Sequence, residues 1–302
     1  MGNFDGVHTG HRSVLSGVRE RSVALRAVSV VVSFYPHPAA VIYPDREIAL
    51  LTSLRRKLAI LRELGIDYLY LIHFNSAVRE LAPDEFLDRV LSERLQCSSL
   101  VIGPDLCIGK GRAGTPAVLE QLAKERSWDF HCFAPIKGKS EEKVSSRLIR
   151  PLLSDGKIEE ANTLLGAPYT IVGRVVHGTK IGRSIGSPTA NLHIKDLLPI
   201  PHGVYAVTAT IGDRSHSGVM NYGIRPTFSS GKKGEPRPQP EVHFLDGKTK
   251  ECYGEICSIA VYGFIRREIH FDSVELLKEQ IQLDIVEAKE ILLSRASDGQ
   301  ER

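Results

Sequence analysis

The sequence predicts two domains, an α/β amino-terminal half with a parallel sheet and an antiparallel β-barrel followed by a C-terminal helix. In residues 1–150, short apolar runs alternate with amphipathic stretches, as they do in β-α-β units. After residue 168 the chain changes to short strands separated by turn residues, which is typical of a closed or nearly closed barrel. The length of 302 residues also suits two domains.

Eight elements are predicted in the amino-terminal half. Apolar runs predict strands at Ala27–Phe34, Tyr68–Phe74, Leu100–Gly103 and Phe130–Ala134. Amphipathic stretches predict helices at His11–Leu25, Ser53–Leu64, Pro83–Leu95 and Pro116–Glu125. The last two helices begin at a proline, whose missing N–H costs little at the first helical position.

A change of pattern near residue 145 precedes the barrel. Two short helices are predicted at Ser145–Leu153 and Lys157–Leu165, and the turn at 166–168 gives domains 1–167 and 168–302. The C-terminal helix is predicted to start at Asp272, with Glu275 completing a capping box. Its apolar stripe, expected to pack on the barrel, consists of Leu277, Ile281, Ile285, Ala288 and Leu292.

Charge and cysteine content narrow the possible functions. The net charge is +3, with about +4 on residues 1–150 and about −1 on the remainder, which favours a small anionic substrate over nucleic acid. The five cysteines form no C-x-x-C pair, as expected of buried thiols in a reducing compartment. No apolar run reaches the roughly 18 residues of a membrane span, and no signal peptide is recognised, so we expect a cytoplasmic protein without a membrane partner.

The segment GRSIGSPTANL (182–192) is a candidate phosphate site. Its glycines permit close approach of the backbone to an anion, and Lys180 and Arg183 add positive charge. Thr189 and Asn191 alternate, so their side chains lie on one side of an extended segment. Two neutral oxygen ligands suit Mg²⁺, which takes further ligands from phosphates and water. An ordinary Gly/Pro-rich hairpin connection is an equally good interpretation of the PTAN residues alone.

The opening segment GNFDGVHTGH (2–11) is a second candidate site. His8 and His11 are three residues apart at the start of a predicted helix, where free backbone N–H groups attract phosphate. Histidines there can stabilise the charge that develops when an α-phosphate is attacked. The same spacing also occurs in metal-binding pairs and in ordinary polar helix starts.

Several motifs together resemble the bacterial bifunctional riboflavin kinase/FMN adenylyltransferase family, also called FAD synthetase. In the carboxy-terminal half they are GRVVHGTKIGRSIGSPTANL (173–192), GVYAV (203–207), NYGIRPTF (221–228), EVHFLD (241–246) and YGE (253–255). In the other half they are residues 2–11, SFYPHP (33–38), LAPDEFLDRVL (81–91), VIGPDLCIGKGRAG (101–114) and VSSRLIRPLLSDGKIEEANTLLGAPY (144–169). Their order and spacing are more specific than any single motif.

The resemblance implies a nucleotidyltransferase-like (Rossmann-like) amino-terminal domain and a riboflavin kinase barrel. It implies phosphorylation of riboflavin to FMN with Glu241 as general base, Thr189 and Asn191 as Mg²⁺ ligands, and adenylylation of FMN to FAD near His8 and His11. Implied ATP contacts are Gly2, Asn3, Phe4, Asp5, Gly6, Asp105, Ser145, Ser146, Arg150, Lys180, Gly182, Arg183, Pro188 and Thr189. Implied flavin contacts are Arg225, Pro226 and Thr227.

The sequence departs from the family pattern at several positions. Ser187 replaces the phenylalanine usual before PTAN, and Tyr35 replaces an acidic residue before Pro-His-Pro. Leu106-Cys107-Ile108 replaces an aromatic-rich stretch, and Arg147 replaces the threonine of an SSTxIR motif. The first motif begins at residue 2, so the central strand that the family places before it is absent from this sequence. All but the first of these changes touch the adenylyl half and predict weaker FAD formation.

Two alternatives remain open from the sequence. One is a monofunctional riboflavin kinase with a degenerate amino-terminal domain. The other is a non-catalytic, flavin-binding regulatory protein, against which the presence of Glu241, Thr189 and Asn191 argues. In a purely structural interpretation, Glu241 is an exposed glutamate at a strand end, and residues 225–227 form only a turn.

Overall fold

The computed structural model describes residues 1–138, 142–177, 189–195, 197–224, 238–246 and 252–298, without the side chains of 296–298. The chain divides into two compact units, residues 1–48 with 57–146, and residues 49–56 with 147–302. The sequence-based boundary between residues 167 and 168 remains a prediction.

Short parallel strands and helices make up the first part of the chain. The strands are β1 (Val30–Tyr35), β2 (Tyr68–His73), β3 (Ser99–Ile102) and β4 (Asp129–Cys132). The helices are α1 (Thr9–Ala24), α2 (Pro38–Ile42), α3 (Leu54–Glu63), α4 (Ser76–Arg79), α5 (Pro83–Phe86) and α6 (Pro116–Glu125). All eight predicted elements are confirmed, with ends that shift by up to three residues, except in the region of α5.

The predicted helix Pro83–Leu95 differs from the structure in its geometry. It ends as an α-helix at Phe86 and continues as a wider π-helix over Leu87–Ser92. Helices α2 and α4 were not predicted, because segments of five and four residues are too short to show a helical period. A side chain caps α4, since the Asn75 oxygen accepts the Val78 N–H at 3.0 Å.

The expected single parallel sheet is split into two pairs. β1 pairs with β2 and β3 pairs with β4, both in parallel. Between the pairs lies a cavity of about 150 Å³ lined by residues of both β1 and β3. The backbone of Gly2 donates to Val32 O at 3.0 Å and the amino group of Met1 donates to Val101 O at 3.4 Å. Residues 1 and 2 therefore bond to one strand of each pair.

A closed six-stranded barrel forms the second unit, in the strand order β10-β5-β6-β9-β8-β7. The strands are β5 (Tyr169–Val176), β6 (Thr189–His193), β7 (Gly203–Ile211), β8 (Arg214–Gly223), β9 (Gln239–Phe244) and β10 (Ile256–Arg267). The helices are α7 (Ser146–Ser154), α8 (Ile158–Leu165) and α9 (Val274–Asp298). The predicted antiparallel barrel with a C-terminal helix is confirmed. Among the described residues, no helix is both long enough and apolar enough to span a membrane.

Helix α9 packs against the outside of β7, β8 and β10. On β10 buried and partly exposed residues alternate, whereas the first five residues of β7 are all buried because they face both the barrel interior and packed neighbours. The predicted start of α9 at Asp272 was wrong. The helix begins at Val274, and the Ser273 hydroxyl accepts the Leu276 N–H at 3.2 Å, so serine is the cap.

Two buried polar contacts fix helices to the barrel. The Asn162 amide, on α8, donates to Val261 O at 2.9 Å and accepts from Tyr169 N at 2.7 Å. On α9, the buried Asp284 carboxylate accepts two hydrogen bonds of 2.7 Å from the Arg266 guanidinium. Such bidentate pairs fix orientation as well as position, so the barrel wall determines where both helices lie.

We predict that Asn162→Ala loosens the barrel. The substitution leaves the Val261 carbonyl without this donor, which typically costs about 1–3 kcal/mol at a buried site. Hydrogen exchange of peptides from β5 and β10 should become faster. Thr163→Ala, at an exposed position of the same helix, should leave exchange unchanged. Unchanged exchange in Asn162→Ala would show that α8 does not hold the barrel.

Candidate functional site

Residues 2–8 form a strained loop before α1. Phe4, Gly6 and Val7 have positive φ values of 48°, 88° and 41°. For a β-branched residue such as Val7 this conformation is unusual, and it persists only where surrounding contacts impose it. Strained backbone of this kind concentrates at functional sites.

Hydrogen bonds to the loop carbonyls hold it in this conformation. The Lys57 ammonium donates to Asn3 O at 2.7 Å, and the Ser33 hydroxyl donates to the same oxygen at 3.3 Å. The Ser146 hydroxyl donates to Asp5 O at 2.7 Å. The structure thus brings together Asn3, Asp5 and Ser146, three of the residues predicted to contact ATP.

His8 and His11 meet at the start of α1. The Nδ1 atom of His8 accepts the His11 N–H at 3.3 Å, so His8 is the helix cap. The two rings stack with centroids 3.7 Å apart, and the Phe4 ring contacts His11 edge-on at 5.2 Å. A Cβ atom on Gly10 would lie 3.2 Å from the His8 ring, which explains the small residue between them.

Both imidazoles are uncharged near neutral pH. Burial, and secondarily the positive charge of Lys143, lowers the pKa of His8 to about 4. Burial lowers the pKa of His11 well below its ordinary value, with further lowering by His8, Lys57 and the amino terminus. His11 Nδ1 is buried and has no hydrogen-bond partner within the described part of the chain. The pair can therefore offer neutral ring nitrogens to a ligand at a helix N-terminus.

The other residues of this half that were predicted to contact ATP have different surroundings. Asp105 forms an ion pair with Lys143, the cation that faces His8. Ser145 is half-buried immediately before Ser146. Arg150 belongs to the second unit, where its guanidinium donates to Ala49 O at 3.3 Å. Arg147, the residue that replaces a threonine of the family motif, is exposed.

On the barrel, three predicted residues share one face of two neighbouring strands. Asn191 of β6 lies directly opposite Glu241 of β9. Thr189 is two residues from Asn191 on β6 and so projects to the same face. Its hydroxyl donates to the Glu241 carboxylate. The predicted alternation of Thr189 and Asn191 is confirmed, and the proposed base lies beside both.

This face carries oxygen ligands of the kinds that Mg²⁺ accepts, and His243 lies beside them, directly opposite Thr189. A hydroxyl, an amide and a carboxylate lie together, and the Thr189 oxygen keeps its lone pairs while it donates its proton. The described residues contain no group of three or more His, Cys, Asp and Glu side chains that could form a metal site by themselves. The donor set therefore fits a cation that takes its other ligands from phosphate and water.

Seven predicted contacts lie outside the described residues: Lys180, Gly182, Arg183, Pro188, Arg225, Pro226 and Thr227.

Lys57 belongs to the candidate site but was not predicted from the sequence. It lies on the buried face of α3 with Ile60 and Leu61, three and four residues further on. A lysine within an otherwise apolar i, i+3, i+4 pattern is a signal that sequence analysis could have used.

The neutral His8 gives a testable pH dependence. Because its pKa is about 4 in the folded protein and near 6.5 when unfolded, the unfolded state binds more protons between these values. The free energy of unfolding of this unit should fall by up to roughly 3 kcal/mol as the pH drops from about 6.5 to about 4.

Fluorescence of Trp128, the chain's single tryptophan, can report this unfolding. His8→Asn keeps a capping oxygen and should remove the part of the pH dependence of unfolding that His8 contributes. His73→Asn, at an exposed position, should leave the pH dependence unchanged. An identical slope in His8→Asn and the unmodified protein would contradict the buried, neutral state of His8.

Comparison with protein families assigns each half of the chain. Residues 1–148 match the model of FAD synthetase, and residues 165–292 match the model of riboflavin kinase. A solved structure described as a macrolide-efflux protein from Streptococcus pneumoniae superposes with a TM-score of 0.82 at 28% identity, covering 96% of this chain and 92% of that one.

Relatives extend over nearly the whole length of the chain. A bifunctional riboflavin kinase/FMN adenylyltransferase from Escherichia coli K12 is 36% identical over 296 residues, covering 96% of this chain and 91% of its own. Proteins of the same description from Bacillus subtilis and Pseudomonas fluorescens are 36% and 35% identical, covering 95% and 96% of this chain and 90% and 91% of their own. The chain therefore belongs to the family of bifunctional riboflavin kinase/FMN adenylyltransferases.

Proposed function

We propose that the barrel transfers the γ-phosphoryl group of ATP to the 5′-hydroxyl of riboflavin, which gives FMN and ADP. The observation that carries this proposal is the shared face of Thr189, Asn191 and Glu241. The Glu241 carboxylate accepts the hydroxyl proton as the oxygen attacks phosphorus. Phosphoryl transfer depends chiefly on positioning and charge neutralisation, and both can be supplied at this face.

Thr189 and Asn191 would hold Mg²⁺ together with the phosphates. When bound, the cation supplies charge neutralisation for the ATP phosphates. Lys180, Gly182, Arg183 and Pro188 are proposed to contact ATP beside them, and Arg225, Pro226 and Thr227 to contact the flavin. The hydrogen bond from Thr189 orients the Glu241 carboxylate before substrate binds.

The amino-terminal unit is proposed to adenylylate FMN. The FMN phosphate attacks the α-phosphorus of ATP, a new P–O–P bond forms, and pyrophosphate leaves. His8 and His11 donate ring N–H groups to the phosphates at the α1 N-terminus, where the helix dipole also favours an anion. Gly2, Asn3, Phe4, Asp5, Gly6, Asp105, Ser145, Ser146 and Arg150 are the proposed ATP contacts.

All five cysteines are free, which is consistent with a reducing compartment. We place the protein in the cytoplasm on this basis.

The exposed Arg147, in place of a short hydroxyl, makes FAD formation slower than FMN formation, because a long cation does not reproduce a close neutral contact with a phosphate oxygen.

Substitutions on the barrel face test the kinase assignment. Glu241→Gln should lower FMN formation by about 10²–10⁴-fold while riboflavin still binds, because the amide cannot accept the proton. Thr189→Ala should raise the Mg²⁺ concentration needed for activity, because one ligand is lost. Glu279→Gln, an exposed glutamate on α9, is the matched control and should be fully active. FMN formation by Glu241→Gln at the unmodified rate would remove it as the base.

Replacement of Arg147 tests the second activity. Arg147→Thr restores a hydroxyl at the start of α7 and should raise the rate of FAD formation from FMN and ATP by roughly 10-fold or more, if the hydroxyl corrects phosphate placement. Riboflavin phosphorylation by the same variant should not change. A rate of FAD formation equal to that of the unmodified chain would show that this position does not limit adenylylation.

A further inference from the structure

Lys57 is a buried cation to which the proposed chemistry gives no role. Its side chain lies on the inner face of α3, and the residue is 8% exposed. The ammonium donates to Asn3 O at 2.7 Å and approaches the Ser33 hydroxyl at 3.5 Å. Among the described residues, its opposite charge is Asp5, a member of the same loop.

Burying an ammonium group costs free energy, so its presence here calls for a specific role. Lysine loses a strong hydration shell on burial, which lowers its pKa here, while Asp5 raises it. An apolar residue of similar length would fill this position without that cost. The hydrogen bond to the Asn3 carbonyl and the attraction to the Asp5 charge offset part of this cost.

The position of Lys57 links the strand to the histidines. Ser33 lies in β1, and both Ser33 and Lys57 bond to Asn3 O immediately before the strained residues Phe4 to Val7. The loop then leads directly into the His8 cap. Movement of Asn3 would therefore release strain and displace the rings that meet the phosphates.

We infer that Lys57 is a positioning residue for FMN adenylylation, since its ammonium holds residues 2–8 in the strained conformation that presents His8 and His11 to ATP. This inference rests on the proposed activity of the amino-terminal unit. Lys57 acts through Asn3 and the histidines and takes no part in the bonds that form and break.

Lys57→Met is the main test, with Lys124→Met, an exposed lysine of α6, as the matched control. FAD formation from FMN and ATP should fall by about 10–100-fold in Lys57→Met, because a displacement of about 1 Å can cost that much. Riboflavin phosphorylation by the same chain should stay within twofold, which shows that the barrel is intact, and unchanged Trp128 fluorescence shows that the unit containing Lys57 is folded. Lys57→Arg keeps the charge and the donor and should retain more FAD formation than Lys57→Met.

Two measurements without turnover separate positioning from simple packing. Hydrogen exchange of residues 2–8 should become faster in Lys57→Met and stay unchanged in Lys124→Met. NMR titration should show a higher pKa of His11 in Lys57→Met. The positive groups that face His11 are Lys57, the Met1 amino terminus and protonated His8, so removing one favours the imidazolium.

The outcomes distinguish failure of this inference from failure of the proposed activity. If the unmodified chain forms no FAD, the adenylylation proposal fails, and loop exchange with the His11 titration decides the role of Lys57. If Lys57→Met forms FAD within twofold of the unmodified chain, the positioning role is overturned. Unchanged loop exchange together with an unchanged His11 pKa also overturns it.

Discussion

The register of β6 against β9 is the constraint on which the catalytic face of the barrel depends. It places Asn191 directly opposite Glu241 and brings Thr189 within hydrogen-bonding distance of the same carboxylate. A shift of β6 by one residue would turn Thr189 and Asn191 toward the other face of the sheet and separate them from Glu241. Closure of six strands prevents that shift, because both strands are paired on both edges. The barrel thereby keeps the proposed base and the proposed metal ligands together.

In the amino-terminal unit, the proposed catalytic side chains are held in place by a loop instead of a sheet. Its backbone is held in an unfavourable conformation by side chains from β1, α3 and α7, each of which bonds to a loop carbonyl. The result is a pair of neutral histidines stacked at a helix N-terminus. Because the strained loop depends on the side chains that bond to its carbonyls, substitutions outside the phosphate contacts can affect adenylylation strongly.

The sequence predicted most of the fold because its signals were local. Apolar runs located the strands of the amino-terminal half and amphipathic periodicity located its helices, while the His8–His11 and Thr189–Asn191 spacings pointed to the two candidate sites. Contacts between distant residues were not predictable in this way. The bond from Lys57 to Asn3 joins positions 54 residues apart, and the pair Arg266–Asp284 depends on how α9 lies on the barrel.

Some differences from the sequence analysis have specific physical causes. The C-terminal helix is capped by Ser273 instead of Asp272, because either residue type suits a cap and only geometry selects between them. The expected single sheet forms as two parallel pairs, and residues 1 and 2 bond to one strand of each pair. Motifs thus indicated which residues matter, while packing determined how they are held.

A time course with the unmodified protein, riboflavin, ATP and Mg²⁺ tests the central claim that two different phosphate chemistries reside on one chain. FMN and ADP should appear first, and FAD and pyrophosphate should follow more slowly. FMN supplied in place of riboflavin should yield FAD and pyrophosphate without ADP. Binding of riboflavin with no release of ADP would instead identify a flavin-binding protein without kinase activity and would overturn the assignment of either reaction to this chain.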